Sequence, residues 1–240
     1  MSIKLFFFRR IKGLFLKLNL HVLFNPFVSF FLNAAYLTKL SAWRKKHADL
    51  KFNDFYSGKW NYNARYDLYK FILQEESLNA PVNYMEFGVS QGYSFKWWLE
   101  NIKNADAKFY GFDTFTGLPE DWGGFNKGAM SAKGNFPVVN DDRAKFLEGL
   151  FQETVPDFLK SFDASKKNVL MMDADLYSST LYVLTSFAPY LKKGDVIFFD
   201  QFAVPTHEFL AFTNFIDSYY FKYEVIGAAN NYYFLALKIV

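Results

Sequence analysis

From residue 65 onward, short apolar runs alternate with stretches of helical periodicity. Residues 65–78 (RYDLYKFILQEESL) space apolar side chains at helical intervals, Tyr69, Ile72 and Leu73 among them. VNYMEFG (82–88) reads as a first strand ending in an acid and a glycine, QGYSFKWWLENI (91–102) as a helix, and AKFYGFD (107–113) as a second strand. KFLEGLF (145–151) is a candidate third strand, followed by a short helix around residues 156–162. NVLMMDAD (168–175) reads as a fourth strand, and STLYVLTSFAPYLKK as a helix closed by Gly194 at a C-cap. DVIFFD (195–200), the helical THEFLAFTNFIDSYY, and a final pair, FKYEVIG and YYFLALKI around an Ala-Ala-Asn-Asn turn, complete the chain. This rhythm predicts a doubly wound, Rossmann-like α/β sheet of seven strands with the last hairpin antiparallel. Between the second and third strands lie about 31 residues with five glycines, long enough to form a lid over the strand ends.

The first 50 residues follow another rule. No Lys, Arg, Asp or Glu occurs from Leu18 to Thr38, and Pro26 falls in the middle, where it should break a helix. The expected organisation is a helical extension over 1–50 and a catalytic-type domain over 51–240. Charge divides the same way. Residues 1–48 hold nine Lys or Arg and no acid, whereas the remainder holds 18 basic against 24 acidic side chains, a net of −6. Residues 1–45 are therefore read either as helices packing on the body or a second subunit, or as an in-plane membrane anchor; a true span is disfavoured by Asn19, His21, Asn25, Pro26 and Asn33. Nucleic acid is excluded as a partner, because the aromatic residues form apolar blocks and do not interleave with the basic ones.

Composition adds two limits. The chain has no cysteine, which removes disulfides and thiolate metal sites and fits a reducing compartment. A signal-peptide reading of the extension is set aside because the body calls for a cytosolic cofactor, so the expected location is cytoplasmic or peripheral on the inner face of the membrane.

Chemistry concentrates at predicted strand ends. Glu86, Gly88, Gly92 and Ser94 lie in EFGVSQGYS at the first strand-to-helix turn, where glycines permit close approach of a ligand. The spacing is not GxGxxG, which disfavours a nicotinamide dinucleotide, and Glu86 suits a cationic ligand. Asp113 ends the second strand, where an acid accepts ribose hydroxyls. Asp173 and Asp175 end the fourth strand, two apart and on one face if the strand runs through them. With Asp200 and the amide of Gln201 from the next strand, Asp173 could hold a hard cation such as Mg²⁺, leaving Asp175 free as a base; the alternative is a set of turn and cap acids. Of the three histidines, His21 and His47 read as structural, and His207 as a helix-start or substrate-side residue.

EFGVSQGYS, FYGFDTFTGLPEDW, EGLFQETVPDFL, DADLYSST and GDVIFFDQF, in that order over roughly residues 60–215, resemble the macrocin O-methyltransferase family. These are class I S-adenosylmethionine-dependent enzymes acting on sugar hydroxyls. The resemblance implies that Glu86, Gly88, Gly92, Ser94, Asp113 and Asp173 line the cofactor site with Thr114 and Phe115 beside the nucleoside. It also implies that Asp173, Asp200 and position 201 bind Mg²⁺, and that Asp175 is the general base. Position 201 departs from the family, which usually has a second aspartate there. The expected function is methyl transfer from S-adenosylmethionine to a sugar hydroxyl on a surface-polysaccharide or lipid-linked glycan or a glycosylated metabolite, by a homo-oligomer. A catechol-like or vicinal-diol methyltransferase and a non-catalytic membrane-associated scaffold are the competing readings.

Overall fold

The computed structural model describes residues 3–240; residues 1 and 2 of the expected extension lie outside that range. Helices α1 (Ile3–Lys17), α2 (His21–Phe24) and α3 (Val28–Lys46) form an N-terminal arm. Pro26 interrupts the α-helix, as expected, but does not set its sharp bend. The proline sits in the first turn of a 3₁₀ segment, Asn25–Phe27, where its missing N–H was never needed, and the chain runs on into α3. The bend comes earlier, at residues 18–20 with Asn19 left-handed (φ 51°), and residues 4–17 meet residues 21–46 at 85°.

The remaining elements are α4 (Ala64–Glu75), β1 (Val82–Phe87), α5 (Tyr93–Asn101), β2 (Lys108–Asp113), β3 (Ala144–Glu148), α6 (Phe151–Leu159), β4 (Lys167–Met172), α7 (Tyr177–Phe187), β5 (Val196–Phe199), α8 (Glu208–Tyr219), β6 (Tyr223–Ala229) and β7 (Phe234–Ile239). The seven strands form one sheet in the order β3-β2-β1-β4-β5-β7-β6, parallel from β3 to β5, with β7 antiparallel to both its neighbours. The predicted fold is therefore observed. Two boundaries differ in ways that matter. Helix α7 stops at Phe187, and Gly194 is not its cap; it makes a left-handed turn (φ 94°) whose N–H donates to Ile239 O. Strand β4 stops at Met172, so Asp173 and Asp175 are turn residues and not two positions on one strand face.

Buried β1 and β4 are largely apolar on both faces because helices cover both sides, with Asn83, Glu86 and Asn168 as the buried polar exceptions. One layer gathers Phe87, Phe112, Phe187 and Phe199; the other gathers Tyr69, Tyr84, Trp98 and Phe109. Register levels the strand ends: Phe87 pairs with Phe112 and Met172, and Met172 with Phe199. The ladder continues one step past each end. Gly88 N donates to Phe112 O (2.9 Å), Asp173 N to Phe87 O (3.0 Å) and Asp200 N to Met172 O (2.9 Å). Gly88, Asp113, Asp173 and Asp200 thus leave the sheet at one carboxyl edge.

The arm is rooted beside that edge. Helix α3 buries only Leu40. Near its end, Trp43 packs on Phe202 (4.8 Å between ring centres) and its Nε1–H donates to the Tyr223 hydroxyl at 2.8 Å. His47 stacks on Trp43 and its carbonyl accepts from the Tyr232 hydroxyl, the structural role its position suggested.

Candidate active site

A crevice of about 910 Å³ opens along the carboxyl edge, within the range of small-molecule sites. Its floor is the β1–α5 turn, Gly88 to Gln91; Asp113 and Thr114 flank it on one side, and Asp173 to Asp175 with Gln201 on the other. Residues 114–143 carry no strand or helix and supply its cover, including Leu118, Glu120, Trp122 and Phe125. Two hydrogen bonds tie that cover down, Ser178 Oγ to Glu120 Oε1 (2.7 Å) and Ser90 Oγ to Met130 O (3.3 Å).

Gly88 is required by close packing as well as by its left-handed backbone (φ 95°). A Cβ there would lie 1.8 Å from Asp173 O. Asp113 organises the same turn. Its Oδ2 accepts from Val89 N (2.7 Å) and Ser90 N (2.6 Å), and its Oδ1 from Phe115 N (2.6 Å). The carboxylate thus holds both the floor and the start of the cover, a role the ribose expectation did not include.

Of the residues expected around the cofactor, Gly88, Ser94, Asp113, Thr114 and Asp173 line the crevice. Glu86, Gly92 and Phe115 do not. Glu86 is fully buried beneath the floor, where it accepts from the Tyr84 hydroxyl and from Ser94 Oγ at 2.6 Å. Burial pushes its carboxyl up to about 7 against those two hydrogen bonds. It therefore braces the helix start from below and does not present itself to a ligand. Gly92 makes the left-handed turn into α5 against Pro137, and Phe115 joins the core next to Phe136.

The acidic side of the crevice contains a cation that sequence reasoning passed over. Arg65 Nη1 lies 3.4 Å from Asp200 Oδ1 and 3.0 Å from the Tyr62 hydroxyl, which in turn lies 3.4 Å from Asp200 Oδ2. Arg65 comes from α4, 135 residues away in sequence. On a helix an arginine reads as a solvated face; its spacing among Tyr62, Tyr66 and Tyr69 was the available signal. Asp200 is buried, which raises its carboxyl, and the facing guanidinium opposes that shift. Asp173 opens onto the crevice but sits deep in it; burial, then the charges of Asp200 and Asp175, hold its carboxyl well above the usual range. Asp175 is 5% exposed and left-handed (φ 60°), and its Oδ1 accepts from Gln201 Nε2. Burial and the Asp200 charge push it up to about 7, with the Gln201 amide pulling the other way.

Asp173, Asp200 and Gln201, the residues expected to hold Mg²⁺, are partly engaged by protein groups. Among the described residues no group of three or more acidic or histidine side chains could hold an ion. Asp200 is engaged by Arg65 and Tyr62, and Gln201 turns its amide N–H, not its oxygen, to Asp175.

The comparisons with known proteins agree with the fold and the crevice. Residues 85–202 match a family described as "Methyltransferase domain". The mycinamicin III 3''-O-methyltransferase of Micromonospora griseorubida is 35% identical over 65 residues, 27% of this chain and only 24% of that enzyme's length. Among solved structures, the calicheamicin methyltransferase CalS11 superposes with a TM-score of 0.61 at 23% identity, covering 74% of this chain and 80% of its own. The O-methyltransferase NovP gives 0.56 at 20% identity, covering 72% and 78%. An O-methyltransferase from Bacillus cereus in complex with SAH gives 0.51 at 16% identity, covering 86% and 90%. At these identities the structural likenesses show the fold of the methyltransferase domain. The resemblance to macrocin-type O-methyltransferases read from the sequence is borne out.

Proposed function

We propose that the protein methylates a sugar hydroxyl with S-adenosylmethionine, on a surface-polysaccharide or lipid-linked glycan or a glycosylated metabolite. The observation that carries the reading is the pairing, in one crevice, of the Gly88–Asp113 turn with a buried base, Asp175, aimed at the same space. The turn and the crevice volume fit the cofactor, which supplies, when bound, a methyl group already activated by a sulfonium.

The protein's own tasks are then alignment and proton removal. Asp175, ionised, would accept the acceptor hydroxyl's proton, and the bound cofactor would supply the methyl group from its sulfonium to the oxygen, leaving the neutral thioether. A carboxyl poised near neutrality suits that task at physiological pH. Gln201 orients the base through its amide N–H. Polar atoms around the acidic wall favour a hydroxyl-rich acceptor. The buried Arg65 Nε and Gln201 Oε1 have no hydrogen-bond partner among the described residues, and both residues line the crevice. Sugar hydroxyls, which both give and take hydrogen bonds, suit a wall that carries Tyr62, Arg65, Gln201 and Tyr233. Deprotonation is assigned to the Asp175 carboxylate itself.

Calorimetry with S-adenosylhomocysteine, followed by mass-spectrometric assay against a panel of sugar nucleotides, lipid-linked sugars and catechols, tests the proposal. The expected result is cofactor binding, weakened about 5- to 150-fold in Asp113→Ala through the lost turn hydrogen bonds, and a methylated sugar product. Tight binding of NAD with none of S-adenosylhomocysteine would overturn it, as would a methylated catechol as the sole product.

A further inference from the structure

The arm exposes an apolar surface that nothing in the fold covers. Seventeen large apolar side chains between Leu5 and Leu37 are exposed, with Phe8 at 77%, Val22 at 70% and Phe30 at 69%. Soluble monomers rarely show a contiguous patch of that extent. On α1, Leu5, Phe6, Phe7 and Phe8 are consecutive and all exposed, so apolar side chains stand on more than one face of a helix that also carries Lys4, Arg9, Arg10, Lys12 and Lys17, and docking one face on the body would leave others uncovered.

Charge indicates what covers the surface. Nine cations and no acid accompany these residues up to position 48. A second copy of the arm laid on the first would bring like charges together with no carboxylate between them, a costly arrangement. Lipid phosphates supply the missing sign and acyl chains the missing apolar partner. Arg10 already lies along Phe6, with its guanidinium 5.1 Å from the ring centre, as expected of a cation whose stem follows apolar surface towards a polar boundary. Shape indicates the mode. Among the described residues no single helix is long and apolar enough to cross a membrane, and the one pair that passes together is bent by 85°. Helix α1, 15 residues long, extends only about 22 Å, short of the ~30 Å hydrocarbon core.

We propose that residues 3–46 seat the protein on an anionic membrane surface, in the interfacial plane and without spanning it. The seat adjoins the catalytic crevice. Trp43 packs on Phe202, the residue after Gln201, and the segment that follows carries exposed Phe55, Tyr56 and Trp60 towards the crevice, where Trp60 meets Tyr233 at 4.8 Å. The seat does not depend on the methyl-transfer reading, because lipid binding is measured without turnover.

Flotation of the full-length protein with two vesicle types tests it, one of phosphatidylcholine alone and one of phosphatidylcholine mixed with phosphatidylglycerol. The expected result is flotation with the anionic vesicles only, falling as salt rises. The triple variant Arg10→Gln/Lys12→Gln/Lys17→Gln should bind roughly a hundredfold more weakly, at about 1 kcal/mol per basic residue. Phe8→Glu/Phe30→Glu should also lose flotation with an unchanged unfolding temperature, since both side chains are exposed. Equal binding to neutral vesicles overturns the anionic seat. A lipid-free protein of defined dimer mass that ignores both vesicle types overturns the proposal in favour of a surface between copies.

Discussion

Phenylalanine crowds both the arm and the sheet domain, yet the two regions dispose of it in opposite ways. In the sheet domain Phe87, Phe112, Phe187 and Phe199 are at most 1% exposed, locked between helices and strands. In the arm Phe7 and Phe8 are 66% and 77% exposed. The ionisable groups reverse in parallel. The domain buries acids, Glu86, Asp175, Asp200 and Glu208, whereas the arm has only cations. Aromatic content alone therefore does not say whether a segment makes a core. The company it keeps does: strands, caps and buried acids in one region, basic side chains and no acid in the sequence of the other.

The largest effect that sharpens this contrast lies in the domain's buried acids. Asp175→Asn should lower kcat by ~10²–10⁴ and leave S-adenosylhomocysteine binding intact by calorimetry. Since the base must be ionised and its carboxyl is pushed up to about 7, wild-type kcat should rise with pH and level off above that value. The variant should lack the inflection. A variant that keeps the same pH profile would remove Asp175 from the proton's path.

Glycine substitutions come next, as a direct comparison of packing. Gly88→Ala forces a Cβ onto Asp173 O and should cost about 2–5 kcal/mol in urea unfolding. The smallest effect belongs to the arm. Gly13 lies inside α1, and a Cβ there meets nothing within 4 Å. Gly13→Ala should therefore leave domain unfolding unchanged and raise the arm's helix content by circular dichroism, at about 0.5–1 kcal/mol of helix stability. A large unfolding shift from Gly13→Ala would mean that the arm packs like the domain.

The sheet was legible because a strand covered on both faces is an apolar run, and β1, β2, β4 and β5 each are. Their ends were less so. Two acids after Met172 read equally well as the close of a long strand or as the turn beyond a shorter one, and only the pairing with Phe199 decides. Pro26 marked the interruption between α2 and α3, whereas the sharp bend lies at residues 18–20, which the sequence did not single out. Asp113, Asp173 and Asp175 were legible as a site, since carboxylates that close buried apolar runs are costly to keep without a task. Arg65 and Tyr62 were not: their meaning comes from α4 folding back over the carboxyl edge. Glu86 shows the converse, an acid in the expected motif whose hydrogen bonds face inward to Tyr84 and Ser94.

Trp43 resting on Phe202 is a contact through which lipid binding at the proposed seat would be coupled to acceptor binding in the crevice. Phe202 follows Gln201, whose amide N–H donates to Asp175, so a shift of the α3 root would reach the base through one peptide and one hydrogen bond. Free energies around a closed binding cycle must balance, so any factor by which lipid alters acceptor affinity is returned by the acceptor on lipid affinity. Measured as a ratio of vesicle affinities with and without a bound sugar, that factor reports how stiffly the tryptophan transmits force from the arm to the crevice.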